Sequence, residues 1–275
     1  MFTRISLTLA LALVIGCLGL SGCTEDDDPA GPSEGVFVDD LIEIAQVIVD
    51  DLTATLYSTD SLHVGENPMY VLLEDADGNP FTAQGIDLHP MMYMADMNHA
   101  CPCGDPVAVD GEDGLFQCKT MFIMPSGMTG TWDVGVTVTP SEGDDVELTF
   151  EEVTVFESVW MQKFSYDFGE GDVWYYVSIV GLENAEVGTN DVELWVATKE
   201  SMMSFPNVAD LTTEIETLMP SMGHGSTGNV APVDMGNGRY EGVVGLSMTG
   251  DWEITFTFFN DESEELGTII YAFVF

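Results

Sequence analysis

The chain of 275 residues carries 48 Asp and Glu against 5 Lys and Arg, a formal charge of −43 at pH 7. Such a polyanion repels nucleic acid and anionic lipid headgroups, so neither is expected as a partner, and the acids read as a solvated surface suited to a saline or divalent-rich medium. Hydrophobic residues make up 45% and aromatics 10%, which supplies a substantial core and excludes a disordered chain.

Arg4 precedes an apolar stretch over residues 5–20, short for a membrane span and of the size of a secretory signal core. It runs into Leu20-Ser21-Gly22-Cys23, which looks like a bacterial lipoprotein lipobox. Residues 1–22 are therefore expected to be a lipoprotein signal peptide, with Cys23 acylated after cleavage. Residues 23–36, acidic and rich in Pro and Gly, read as a flexible stalk. Loss of Arg4 with the signal leaves 4 cations against 48 acids, 4 − 48 = −44. The expected location is the cell envelope, lipid-anchored to a membrane and facing the periplasm or the cell exterior.

Beyond the anchor, "DLIEIAQVIV" (40–49) and "VADLTTEIETLM" (208–219) are predicted as short helices, and nearly everything else reads as strand. "MYVLLEDADGNPF" carries an Asp-Gly turn signal, and "VELTFEEVTVF", "DVWYYVSIVG", "DVELWVATKE" and "GTIIYAFVF" follow as strands. The "DADGN" run (75–79) has no Glu at the twelfth position after Asp75, so it is expected to be a hairpin turn rather than a calcium loop.

The chain also repeats itself. Met94-Ala-Asp-Met97-Asn-His99 and Met219-Pro-Ser-Met222-Gly-His224 share the pattern M-x-x-M-x-H, and Met128-Thr-Gly-Thr-Trp132 and Met248-Thr-Gly-Asp-Trp252 share M-T-G-x-W. The common order and spacing divide the mature chain into two all-β domains, 37–156 and 157–275, each expected to be an immunoglobulin-like β-sandwich of about seven strands.

The segment "LMPSMGHGSTGNVAPVDMGNGRYEGVVGLSMTGDWEITF" (218–256) resembles the YtkA-like domain, an immunoglobulin-like sandwich of exported bacterial proteins related to the FixH group. In the first half the resemblance is looser: the Pro is missing, the loop is longer, and three cysteines are added. The resemblance implies a small exported or membrane-attached sandwich found with copper or cytochrome oxidase functions, so copper-handling or oxidase-assembly proteins are the expected partners.

Thioethers and imidazoles suit copper(I), because a thioether is soft, neutral and free of competing protons. Met94, Met97, His99, Met219, Met222 and His224 are accordingly the candidate metal ligands. His89, Met91 and Met92 are accessory candidates; His63 reads as a solvated turn residue. Met128 and Met248 lie four residues before Trp132 and Trp252 on their strands, so each pair is expected to face the same way. They are expected mainly to pack the core, each able to complete a site from below.

Of the remaining thiols, Cys118 is expected to bridge to Cys101 or Cys103, and Cys103 is the better partner, because Cys101 and Cys103 point the same way and cannot easily bridge each other. A zinc site from His99, Cys101, Cys103 and Cys118 has an uncommon spacing and ranks below that disulfide. No G-x-S-x-G or H-E-x-x-H occurs, and nothing points to an enzyme. The competing expectation is a structural or adhesive surface module that binds a protein or polysaccharide without metal.

Overall fold

A computed structural model describes residues 36–275; the expected signal peptide, Cys23 and nearly all of the expected stalk lie outside the described residues. After a single 3-10 turn at Val38–Asp40 the chain is entirely β. The first body contains β1 (Ile42–Val49), β2 (Leu52–Ser58), β3 (Gly65–Asp75), β4 (Ala83–Tyr93), β5 (Asn98–Ala100), β6 (Val107–Ala108), β7 (Leu115–Phe122), β8 (Thr131–Pro140) and β9 (Val146–Val153). The second contains β10 (Met161–Asp167), β11 (Asp172–Val180), β12 (Gly188–Thr198), β13 (Thr212–Leu218), β14 (Val230–Gly236), β15 (Arg239–Leu246), β16 (Asp251–Phe259) and β17 (Glu265–Val274).

The strand order is the same in both bodies. Sheets β1-β2-β3-β7-β6 and β5-β4-β8-β9 make the first, and sheets β10-β11-β12-β15-β14 and β13-β16-β17 make the second. All pairings within these sheets are antiparallel, and only β5 has no strand counterpart in the second body. Each body is thus a sandwich with an apolar core between two sheets, and the core of the first extends onto Tyr176 and Trp195 of the second.

Strict alternation explains why these segments are strands. In β8 the residues Trp132, Val134, Val136 and Val138 are fully buried while their neighbours face outward, and Trp252, Ile254, Phe256 and Phe258 do the same in β16. A period of two places one residue set on the core face, and burying each such side chain contributes about 1.5–3 kcal/mol.

Both predicted helices are strands instead. Residues 42–49 pair with β2 as β1, and 212–218 pair with β16 as β13. Their density of Ile, Val and Thr explains the outcome: β-branched side chains lose χ1 freedom in a helix and fit a pleated surface. The 75–79 segment is a turn. The Asp75 carboxylate accepts the backbone N–H groups of Asp77 (3.0 Å) and Asn79 (2.9 Å), and these bonds, those from Asn79 foremost, hold its pKa below the usual carboxylate range.

Polar contacts join the two bodies. The Glu66 N–H donates to the Ser178 hydroxyl at 2.8 Å, and that hydroxyl donates to the Trp160 carbonyl at 3.2 Å. The Glu66 carboxylate is buried between Lys119 (3.0 Å) and Arg239, and Arg239 also binds Glu193 at 2.6 Å while lying 4.1 Å over the Trp195 ring. A loop of the second body reaches the first as well, where the Ala100 N–H of β5 donates to the Met202 carbonyl at 2.8 Å.

Candidate metal-binding groups

β4 runs between β5 and β8, so Met92 lies directly across from His99 on one side and Trp132 on the other. All three are buried. The imidazole meets the indole edge-on, with ring centroids 5.4 Å apart and planes at 84°. The Trp132 N–H is held by the Met124 carbonyl at 2.9 Å, which fixes the indole.

The histidine is held by one nitrogen only. His99 Nδ1 lies 2.8 Å from the Ala100 carbonyl, which can only accept, so Nδ1 carries the proton and Nε2 presents a lone pair. That Nε2 is buried and has no hydrogen-bond partner. Buried polar atoms are nearly always paired, and an imidazole fixed through one nitrogen with the other free is one that could hold a metal ion.

The second body repeats the group. Met219 pairs with His224 across a tight turn just past the end of β13, whose last pair with β16 is Leu218 with Glu253, the residue after Trp252. His224 Nδ1 donates to the Gly225 carbonyl at 3.0 Å, its ring meets Trp252 edge-on at 6.1 Å and 74°, and the Trp252 N–H donates to the Met248 carbonyl at 2.9 Å. Met219 is buried and His224 half-buried. Ser221 clamps this turn to the start of β16 by hydrogen bonds to Asp251, and they hold the Asp251 carboxyl below its ordinary range.

The structural equivalence therefore differs from the one the motif suggests. Met219 corresponds to Met92, not to Met94, because the β4–β5 turn is two residues longer than its counterpart. Met94 is partly buried and lies against Gly130, while the Met219 methyl carbon reaches the matching Gly250, where a Cβ would stand 2.7 Å away. One methionine in the second body fills the place that two fill in the first.

The other candidate methionines are at the surface. Met97 sits in the turn closed by the Met94 N–H to Met97 carbonyl bond at 3.0 Å; it is exposed, as are Met222, Met128 and Met248. Strands β8 and β16 begin only at Thr131 and Asp251, so Met128 and Met248 precede them and the face-sharing argument does not reach them. They flank the groups and do not pack the core. His89 is exposed on the outer face of β4, and His63 lies in a turn built around Asn67.

The glycine of M-T-G-x-W has a local reason. A Cβ at Gly130 would run into the Tyr93 carbonyl and come within 3.0 Å of Met94 Cγ. Gly130→Ala is expected to cost about 1–3 kcal/mol by overpacking, read as a lower urea midpoint with unchanged slope.

The three thiols form a separate cluster. Cys103 and Cys118 have sulfurs 3.2 Å apart, and Thr120 Oγ1 lies 3.4 Å from Cys103. The Cys118 hydrogen bond lowers the Cys103 pKa, and the same bond together with burial raises that of Cys118. Among the described residues no group of three or more His, Cys, Asp and Glu side chains is arranged to hold a metal ion, so His99 and the cysteines do not assemble a zinc set. Donors of that kind alone do not make a site here; thioethers would have to take part.

Residues 174–257 match the YtkA-like family model, a span from β11 through most of β16. No curated protein matches the chain. Among solved structures it is similar to the Escherichia coli adhesin FdeC, at 14% identity and TM-score 0.24, over 82% of this chain and 66% of that one. A conserved domain protein from Bacillus anthracis aligns at 8% identity and TM-score 0.26, over 88% of this chain and 94% of that one. A C-terminal fragment of intimin, solved with the intimin-binding domain of its translocated receptor, aligns at 12% identity and TM-score 0.22, over 83% and 64%. The chain thus spans just under two thirds of the length of the adhesin and of the intimin fragment.

Proposed function

We propose, taking residues 174–257 as a YtkA-like domain, that the protein is an exported, lipid-anchored binding protein that holds copper(I) in two Met–His–Trp groups, one per sandwich. The observation that carries this reading is the orphaned, buried Nε2 of His99 beside Met92 and Trp132, with Nδ1 fixed by a carbonyl. The same three residue types recur in the same register as Met219, His224 and Trp252.

Each residue type has a role suited to a soft monovalent ion. The imidazole supplies the stronger donor, and its orientation is set from outside the site. The thioether supplies a neutral donor that neither titrates nor forms disulfides. An indole beside the ion adds cation–π attraction in a water-poor setting. Met94 in the first body and the exposed Met97 and Met222 stand at the turns through which an ion would enter. Cys23 anchors the chain in the cell envelope, the partners are copper-handling or oxidase-assembly proteins, and no catalysis is assigned.

Anaerobic titration with Cu(I) against a chromogenic chelator tests this, in a Cys103→Ser, Cys118→Ser background so that thiols do not compete. Two tight equivalents are expected. His99→Ala removes one and His224→Ala the other, each weakening its own site roughly 100-fold or more. Binding that is no tighter than that of a variant lacking Met92, His99, Met219 and His224 defeats the reading and leaves the adhesive surface module as its successor.

A further inference from the structure

Strand order makes β9 and β17 counterparts, each the last strand of its sheet. The far edge of such a strand presents N–H and C=O groups that no neighbour has paired, and a second chain can bond to them. The two edges are built differently. β9 carries Glu147, Glu151 and Glu152, and its ladder with β8 slips between Trp132 and Val134. Glu152 also turns into the left-handed region, its N–H held by the Asp133 carboxylate at 2.8 Å. Charges and bulges of this kind keep an edge from recruiting another strand.

β17 lacks them over most of its length. From Leu266 to Phe275 the chain holds no charged residue and no proline, and Gly267 to Val274 pair with β16 without a break. Among the described residues, the outward backbone groups of β17 meet no other strand. Ile270 and Val274 project into solvent at 50% and 76% exposure, and Thr268 and Ala272 are exposed beside them.

We propose that β17 pairs antiparallel with β17 of a second copy of this chain, about a two-fold axis at Ile270, joining two three-stranded sheets into one of six strands. The inference stands apart from the copper reading. A cationic foreign strand would find no acid to meet along this strip, whereas the strip complements itself. Ile270 falls opposite Ile270, Thr268 opposite Ala272, and Ile269 opposite Tyr271, and β-branched and aromatic residues facing one another are favourable cross-strand pairs. The antiparallel arrangement also keeps acids apart. Glu265, which opens each strand, ends about 34 Å from its copy, and Glu253, one strand inward and level with Ala272, about 20 Å from its own. Both distances exceed the Debye length of about 8 Å in physiological salt, so repulsion between the two acidic chains is largely screened at this seam. About ten residues a side is fewer than the roughly 20–30 of a standard interface, so the dimer is weak and forms at high local concentration.

Sedimentation velocity on the mature chain, carrying Cys23→Ser so that no lipid is attached, tests this. A monomer–dimer equilibrium is expected, with a dissociation constant that falls about threefold or more between about 0.05 and 0.5 M NaCl as the Debye length shortens. Ile270→Glu sets two carboxylates face to face and is expected to weaken dimerisation about tenfold. Ile48→Glu makes the same charge change on β1, at a position 63% exposed, and leaves dimerisation unaltered. Cysteines read the register: Ile270→Cys joins to its own copy through a short bismaleimide, whereas Val274→Cys, whose copy lies about 27 Å away, does not. A chain that stays monomeric at every concentration and salt overturns the proposal, as do equal losses in Ile270→Glu and Ile48→Glu, or cross-linking at Val274 in place of Ile270. The cross-link decides the matter even if the charged variant does not fold.

Discussion

Arg239→Ala is expected to destabilise the protein by about 3–5 kcal/mol, because it leaves a buried carboxylate without its closest cation. Glu66 has a side-chain exposure of 5%, and Arg239 is shared between it and Glu193 at the junction of the two bodies. Truncation also strips the guanidinium from the Trp195 face. Lys119 remains at 3.0 Å from Glu66, but at 44% exposure it is well solvated and replaces little of the loss. Differential scanning calorimetry should show a fall in melting temperature of roughly 6–20 °C. Adding Glu66→Gln to Arg239→Ala is expected to recover part of it, since the stranded charge is then gone. A fall below about 2 °C would mean that water reaches Glu66 and that the pair is worth no more than a surface ion pair.

Trp132→Ala should cost a similar amount, about 3–5 kcal/mol, and so should Trp252→Ala. Each indole is buried on the core face of its strand and has its N–H paired to a carbonyl, so truncation opens a large cavity and leaves that carbonyl unpaired. Because the two cores are distinct clusters, the two losses should add within about 0.5 kcal/mol. Urea unfolding of the single and double variants measures this. Strong non-additivity would show that the sandwiches share one cooperative core. Trp132→Phe keeps most of the volume but not the hydrogen bond. It is expected to retain the fold and, if the proposed function holds, to weaken copper(I) binding in the first body only.

The alternating strands around Trp132 and Trp252 were legible in the sequence, because side-chain period is set by backbone geometry and shows wherever one face is buried. The repeat was legible too, and the common strand order of the two bodies is its structural counterpart. What the letters concealed is register. Counting back from His99 and His224 equates Met94 with Met219, whereas ladder pairing equates Met92 with Met219, since turn length does not reveal which residues face each other. The misread helices at 40–49 and 208–219 had amphipathic spacing compatible with either element; their β-branched content was the better signal. The Glu66–Arg239 pair joins residues 173 apart and left no local trace. Nor did the isolation of His99 Nε2, which depends on three strands at once.

β5 is the outermost strand of its sheet, and its Ala100 N–H is bound to the Met202 carbonyl of a loop from the other body. That bond works as a latch. It blocks a stretch of rim where a foreign chain would otherwise add a strand. It also gears the shelter around His99 to the posture of the neighbouring sandwich: the bodies cannot swing apart there without first tugging on the strand that carries the imidazole.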